Sequence, residues 1–243
     1  MLTRTCKKEI IRMFSDGSCE KIQDDMVLEK SITLQVDGKP DAAAVFTPGE
    51  EELWALGNLY CRRMIRGIED IRSLAVAYDK VIVELNYKNY RCGSECNGSA
   101  GSKVFIPIDW QISLKSIMDG IDWIAEDPLF KQVGSVHVAA ILSPDGEKLY
   151  RTEDIGRHNT VDKAVGWLLK NNMNPGGAAL LTSGRLPEDM VMKGLGAGIP
   201  LMASISAPTL QGAAAAQAGN MTLVGFARNG RFNVYSIPER IKK

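Results

Sequence analysis

Two cysteines, Cys92 and Cys96, stand in the run RCGSECNGSAGS (91–102), which holds no large apolar side chain. A segment of this composition cannot bury itself, so it is expected on the surface as a mobile loop. Thiols in such a place are accessible, and accessible thiolates do chemistry. The spacing leaves four readings open. Cys-x3-Cys suits half of a zinc site, yet the remaining ligands would have to come from Cys6, Cys19, Cys61, His137 or His158, none of which forms a second close pair. A reversible loop disulfide and an inert surface pair are the second and third. The fourth is a nucleophilic or persulfide-carrying thiol. Arg91 favours the thiolate of Cys92 while Glu95 disfavours that of Cys96, so Cys92 is the better nucleophile.

A second cluster is EDIGRHNTVDK (153–163), at the junction of an expected strand and an expected helix. A helix start offers free N–H groups to an anion, and Arg157 and His158 sit at that turn. The bland alternative is a capped helix with a solvated face. The third is GFARNGRF (225–232), where Asn229-Gly230 suits a two-residue type I′ turn flanked by Arg228 and Arg231. Two arginines beside turn amides can grip a diphosphate, though a plain hairpin with surface arginines has the same sequence. Ser183, Gly184 and Arg185 follow a buried-looking strand, where ligands bind in open α/β sheets, and Ser204 and Ser206 follow the next strand. His137 reads as a core histidine, Cys61 as a core thiol, and Met190 and Met192 as helix residues needing no cofactor.

The elements that must position these groups follow from periodicity and turn chemistry. Residues 1–28 show little pattern. Segments 31–36 and 42–46 are expected as a hairpin about Asp37-Gly38. Thr47, Pro48 and Glu50 are expected to cap a helix running to residue 65, with a strand over 81–87 leading into the cysteine loop. From 112 onward, helices (112–124, 159–169, 187–196, 208–216) alternate with strands (136–142, 149–155, 178–182, 201–203, 222–226, 232–235). That alternation favours a three-layer α/β sandwich, with a smaller N-terminal α+β lobe over 1–105 and the α/β domain over 106–243. Of the 243 residues, 45% are hydrophobic and the formal net charge is zero. Neither a nucleic-acid nor an anionic-membrane partner is indicated, so a phosphate-bearing ligand needs a local cluster. No signal peptide or apolar run of membrane length stands out, and five irregularly spaced cysteines are no disulfide framework. A cytoplasmic protein is expected.

In this order the motifs resemble the formate dehydrogenase accessory sulfurtransferase family (FdhD/NarQ). GSVHVAA (134–140) is similar to its Gly-Gly-x-His-x-Ala segment, and 153–163 to its Glu-Asp-x-Gly-Arg-His-Asn-x-x-Asp-Lys signature. TSGR (182–185), AGIP (197–200), SISAP (204–208) and 225–235 follow in sequence, with a fainter likeness over 37–70. The resemblance implies a cytidine-deaminase-like α/β domain and a sulfurtransferase with a cysteine persulfide intermediate. It implies that a cysteine desulfurase loads Cys92. The sulfur then passes to bis-molybdopterin guanine dinucleotide, the molybdenum cofactor destined for formate dehydrogenase. It further implies a homodimer. The cofactor, or a guanine nucleotide in its place, would be held by Phe226, Ala227, Arg228, Asn229, Gly230 and Arg231, with Arg157, His158, Ser183 and Arg185 beside them. One departure stands out. The family loop usually reads Cys-Gly-x-Cys-Gly, whereas Gly93, Ser94 and Glu95 separate the thiols here. Cys96 is therefore the less secure partner, and a non-catalytic cofactor-binding chaperone is the alternative. A zinc deaminase would need His-x-Glu and a later Pro-Cys-x-x-Cys, and no cysteine follows Cys96.

Overall fold

The computed structural model describes residues 3–86 and 104–243. The first element is an antiparallel hairpin of β1 (Thr5–Met13) and β2 (Cys19–Val27), where the sequence showed no pattern. Its register is marked by cross-strand charges, Lys21 with Glu9 at 3.0 Å and Lys7 with Asp25 at 3.7 Å. Most of its side chains face solvent, so no buried period was there to be seen.

Next come β3 (Lys30–Val36) and β4 (Lys39–Phe46), joined at Asp37 and Gly38 with φ of 50° and 77°, as a type I′ turn requires. Helix α1 (Glu51–Cys61) begins later than its sequence suggests. Thr47 does not cap it. The Thr47 amide donates to Asp154 Oδ2 at 3.2 Å and its hydroxyl accepts from the Ile155 amide at 3.3 Å. A charged acceptor from far along the chain outcompetes the local capping box. Strands β5 (Ile71–Val76) and β6 (Lys80–Leu85) complete a four-stranded sheet in the order β4-β3-β6-β5, and Trp54, Leu59 and their neighbours on α1 fill its inner face.

The rest of the described chain runs through β7 (Ile112–Ser113), α2 (Leu114–Ala125), α3 (Pro128–Val133), β8 (His137–Leu142), β9 (Lys148–Asp154) and α4 (Arg157–Lys170). It continues through β10 (Ala179–Thr182), α5 (Glu188–Gly196), β11 (Leu201–Ser204), α6 (Leu210–Ala218), β12 (Thr222–Arg228), β13 (Arg231–Ser236) and β14 (Ile241–Lys242). Six strands form one sheet, β13-β12-β11-β10-β8-β9, in which β10, β11 and β12 are parallel and β8 and β13 run antiparallel to them. Successive residues of each central strand point to opposite faces. Leu180 and Met202 pack on α4 and α5, while Leu181 and Ala203 pack on Ile117, Ile121 and Ile124 of α2. Helices thus cover both faces of a mixed sheet.

The two sheets are tied together through α1 and α4, which cross at backbone contact. A Cβ on Gly57 would lie 1.8 Å from the Asp162 carbonyl oxygen, and one on Gly166 would lie 1.9 Å from that of Leu53. No described helix is long and apolar enough to cross a membrane.

Candidate functional site

The directions of the strands bring one set of ends to a common edge. The carboxyl ends of β10, β11 and β12 lie there, as do the first residues of the antiparallel β8 and β13 and the start of α4. This is the edge at which open α/β sheets bind ligands. A hydrogen-bond chain runs along it. His137 Nδ1 lies 3.3 Å from Ser183 Oγ, the Ser206 hydroxyl donates to the Ser183 carbonyl at 2.9 Å, and the Phe226 amide donates to the Ser206 carbonyl at 3.0 Å. The Ser204 hydroxyl donates to the Gly184 carbonyl at 2.6 Å, which fixes the same loop from β11.

The 153–163 cluster divides into two sets. Asp154, Asn159, Asp162 and Lys163 are buried and serve the interior. Lys163 Nζ is 2.7 Å from Asp154 Oδ2, with both side chains fully enclosed. Asp154 Oδ1 accepts from the Gly156 amide and from Asn159 Nδ2, each at 2.8 Å, and Asn159 Nδ2 also reaches the Val45 carbonyl at 2.9 Å. Asp162 is bound by Lys193 and accepts from Asn58 Nδ2 at 3.0 Å. These groups join the start of α4 to β4, α1 and α5, a structural role. Arg157 and His158 instead occupy the first turn of α4 at the edge, two residues earlier than the sequence placed the helix. His158 Nε2 lies 3.3 Å from Asp189 Oδ2 on α5. Burial holds its imidazole below the usual histidine range, although Asp189 opposes this.

The guanidiniums of Arg157, Arg185, Arg228 and Arg231 have no hydrogen bond or ion pair among the described residues. The Arg157 Nε atom is buried without a partner. Every other described arginine holds a protein acceptor, from Arg4 on Glu153 to Arg240 on the Ile106 and Pro107 carbonyls. The four unpaired guanidiniums therefore coincide with the sheet edge. Arg157 fits there because Gly184 is bare: a Cβ on Gly184 would lie 2.9 Å from Arg157 Cβ.

The β12–β13 turn is the expected type I′ hairpin, with φ of 54° at Asn229 and 72° at Gly230, and Arg228 faces Arg231 across it. A bulge interrupts the pairing between Gly225 and Arg228, and Phe226 takes a left-handed φ of 52°. The Arg228 guanidinium sits 5.6 Å from the centre of the Phe226 ring. Ala227 is buried beneath, packed among the residues on α2's side of the sheet. Such an arrangement presents cationic, planar donors and turn amides, the donor set that suits phosphoryl oxygens.

His137, which the sequence assigned to the core, lies at the candidate site beside Ser183. It is half-buried at the start of β8, and burial together with Arg157 and Arg185 keeps its imidazole below the usual range. A lone histidine before an apolar strand gives no local sign of this; only the antiparallel direction of β8 brings it to the edge. Cys61 is core as expected, its thiol held protonated by burial and by Asp162. Cys92 and Cys96 lie outside the described residues.

Residues 27–242 match the model of the FdhD/NarQ family. The chain is 33% identical to the sulfur carrier protein FdhD of Wolinella succinogenes, covering 98% of this chain and 90% of that protein. It is also 33% identical to the sulfur carrier protein FdhD of Sulfurisphaera tokodaii, covering 91% and 94%. A crystal structure of a candidate formate dehydrogenase accessory protein from Desulfotalea psychrophila superposes with a TM-score of 0.84 at 26% identity, covering 99% of this chain and all of the other.

Proposed function

The chain belongs to the FdhD/NarQ family, and from that premise we propose that it is a cytoplasmic sulfur carrier that activates formate dehydrogenase. The Cys92 thiolate attacks the outer sulfur of a cysteine desulfurase persulfide. The donor's S–S bond breaks, the desulfurase leaves as a thiolate, and Cys92 holds the transferred sulfur. Attack by Cys96 on the inner sulfur of that persulfide then releases the outer atom at the oxidation level of sulfide. The dithiol supplies both electrons, and a cellular thiol reduces the resulting disulfide. The recipient is bis-molybdopterin guanine dinucleotide, bound as substrate.

One observation carries the reading of the binding edge: among the described residues, four arginines without a protein hydrogen-bond acceptor lie along one edge of the six-stranded sheet, in a chain of zero net charge. Phosphoryl groups are the acceptors that such a set lacks. The sheet with helices on both faces is consistent with a cytidine-deaminase-like layering, and the 1–105 and 106–243 division with a separate small lobe. A homodimer is part of the same proposal.

Two measurements test it. Guanosine diphosphate should bind the wild-type chain, and Arg157→Ala or Arg228→Ala should weaken binding by about tenfold, as expected for loss of a charge-assisted contact of ~1.5 kcal/mol. Unchanged affinity in both variants would remove the arginine edge from the account. A Cys92/Cys96 double serine variant should fail to support formate dehydrogenase activity in cells. If it supports full activity, the chain is a cofactor-binding chaperone and transfers no sulfur.

A further inference from the structure

We infer that His137 belongs to the phosphoryl-binding cluster and takes up a proton when a dianionic phosphoryl group binds between Arg157 and Arg185. This rests on the nucleotide-site reading above and deepens it. Ser183 Oγ accepts from the Val138 amide at 3.0 Å, which leaves its own proton for Nδ1 of a neutral imidazole, at 3.3 Å. The ring proton then sits on Nε2. The charged groups that face the ring are Arg157 from α4, Arg185 from the β10–α5 connection and Asp154 from β9, its cross-strand neighbour. Two guanidiniums against one carboxylate, in a half-buried position, oppose a third positive charge.

A dianion changes that balance. It neutralises the two arginines, and a protonated ring can then donate from both nitrogens, one to Ser183 and one toward the ligand. The carboxylate of Asp154 cannot do this alone, because its oxygens are already committed to Lys163, Thr47, Gly156 and Asn159. Linkage makes the effect reciprocal: whatever raises the affinity of the ring for a proton raises, by the same factor, the affinity of the protonated protein for the ligand.

The chain holds two histidines, so their ring resonances can be followed directly by NMR on the full chain. The His137 ring is assigned through its bonds to the backbone, and its titration is recorded with and without guanosine diphosphate as the probe. Binding should raise the His137 midpoint by about one pH unit or more. It should also make affinity rise as pH falls from about 7 to about 6, by up to roughly tenfold. In His137→Gln, only the titrations of the nucleotide's own phosphate and of His158 should remain. Guanosine diphosphate that binds while the His137 midpoint stays fixed overturns this inference and leaves the nucleotide site standing. Failure of the probe to bind at any pH overturns both.

Discussion

Phe226 is a bulky side chain on a left-handed backbone, a conformation that costs about 1–3 kcal/mol and persists only where surroundings enforce it. Here the enforcement is visible. The Phe226 amide is held by Ser206, Ala227 is buried, and the bulge turns Arg228 onto the Phe226 ring. The strain therefore aims a cation. Phe226→Gly should leave folding stability unchanged or raise it by up to about 2 kcal/mol, since glycine accepts this φ freely. The same variant should lose a few-fold in guanosine diphosphate affinity, because a cation–π contact of ~1 kcal/mol is gone. Thermal unfolding and calorimetric titration check the two halves, and a large loss of stability with intact binding would contradict them. At this scale the sequence was half-legible. The residue types of 153–163 announced a special turn, but not that Asp154, Asn159, Asp162 and Lys163 work inward. Their partners Val45, Thr47 and Asn58 lie more than 100 positions away. His137 was missed for the same reason, its meaning being set by Arg157, Ser183 and Arg185.

Among the elements, the α1–α4 crossing decides how the four-stranded sheet is attached to the six-stranded one. Gly57 and Gly166 let two helix backbones touch, and in each case the obstructing atom is a carbonyl oxygen, which cannot swing aside as a side chain would. Gly57→Ala should cost about 3 kcal/mol or more in denaturant unfolding, at the upper end of overpacking effects. Gly177→Ala, where nothing lies within 4 Å of the added carbon, should stay within about 0.5 kcal/mol of wild type. Equal effects at the two positions would mean that the helices are not in backbone contact. The strands and helices after residue 112 were legible because their apolar periods face one core and their turns are short. The α3 helix and the β1–β2 hairpin were not. The first is a six-residue helix with no buried residue of its own, and the second is held by cross-strand charges on an exposed ribbon. The start of α1 was misplaced because Asp154 draws Thr47 away from capping.

For the whole molecule, zero net charge and a concentrated cationic edge are two sides of one design. Among the described residues, every arginine except Arg157, Arg185, Arg228 and Arg231 is held by a carboxylate or carbonyl within the protein, which leaves the strand-end edge with the free guanidiniums. A binding edge alone describes a chaperone as well as a carrier. The distinction rests on sulfur chemistry at Cys92, and intact-protein mass spectrometry reads it without assumptions about the recipient. After incubation with a cysteine desulfurase and free cysteine, Cys96→Ser, which cannot discharge the persulfide, should gain the mass of one sulfur atom, removable by a thiol reductant. Cys92→Ser should gain nothing. A sulfur adduct retained in Cys92→Ser, or absent from Cys96→Ser, would contradict the account.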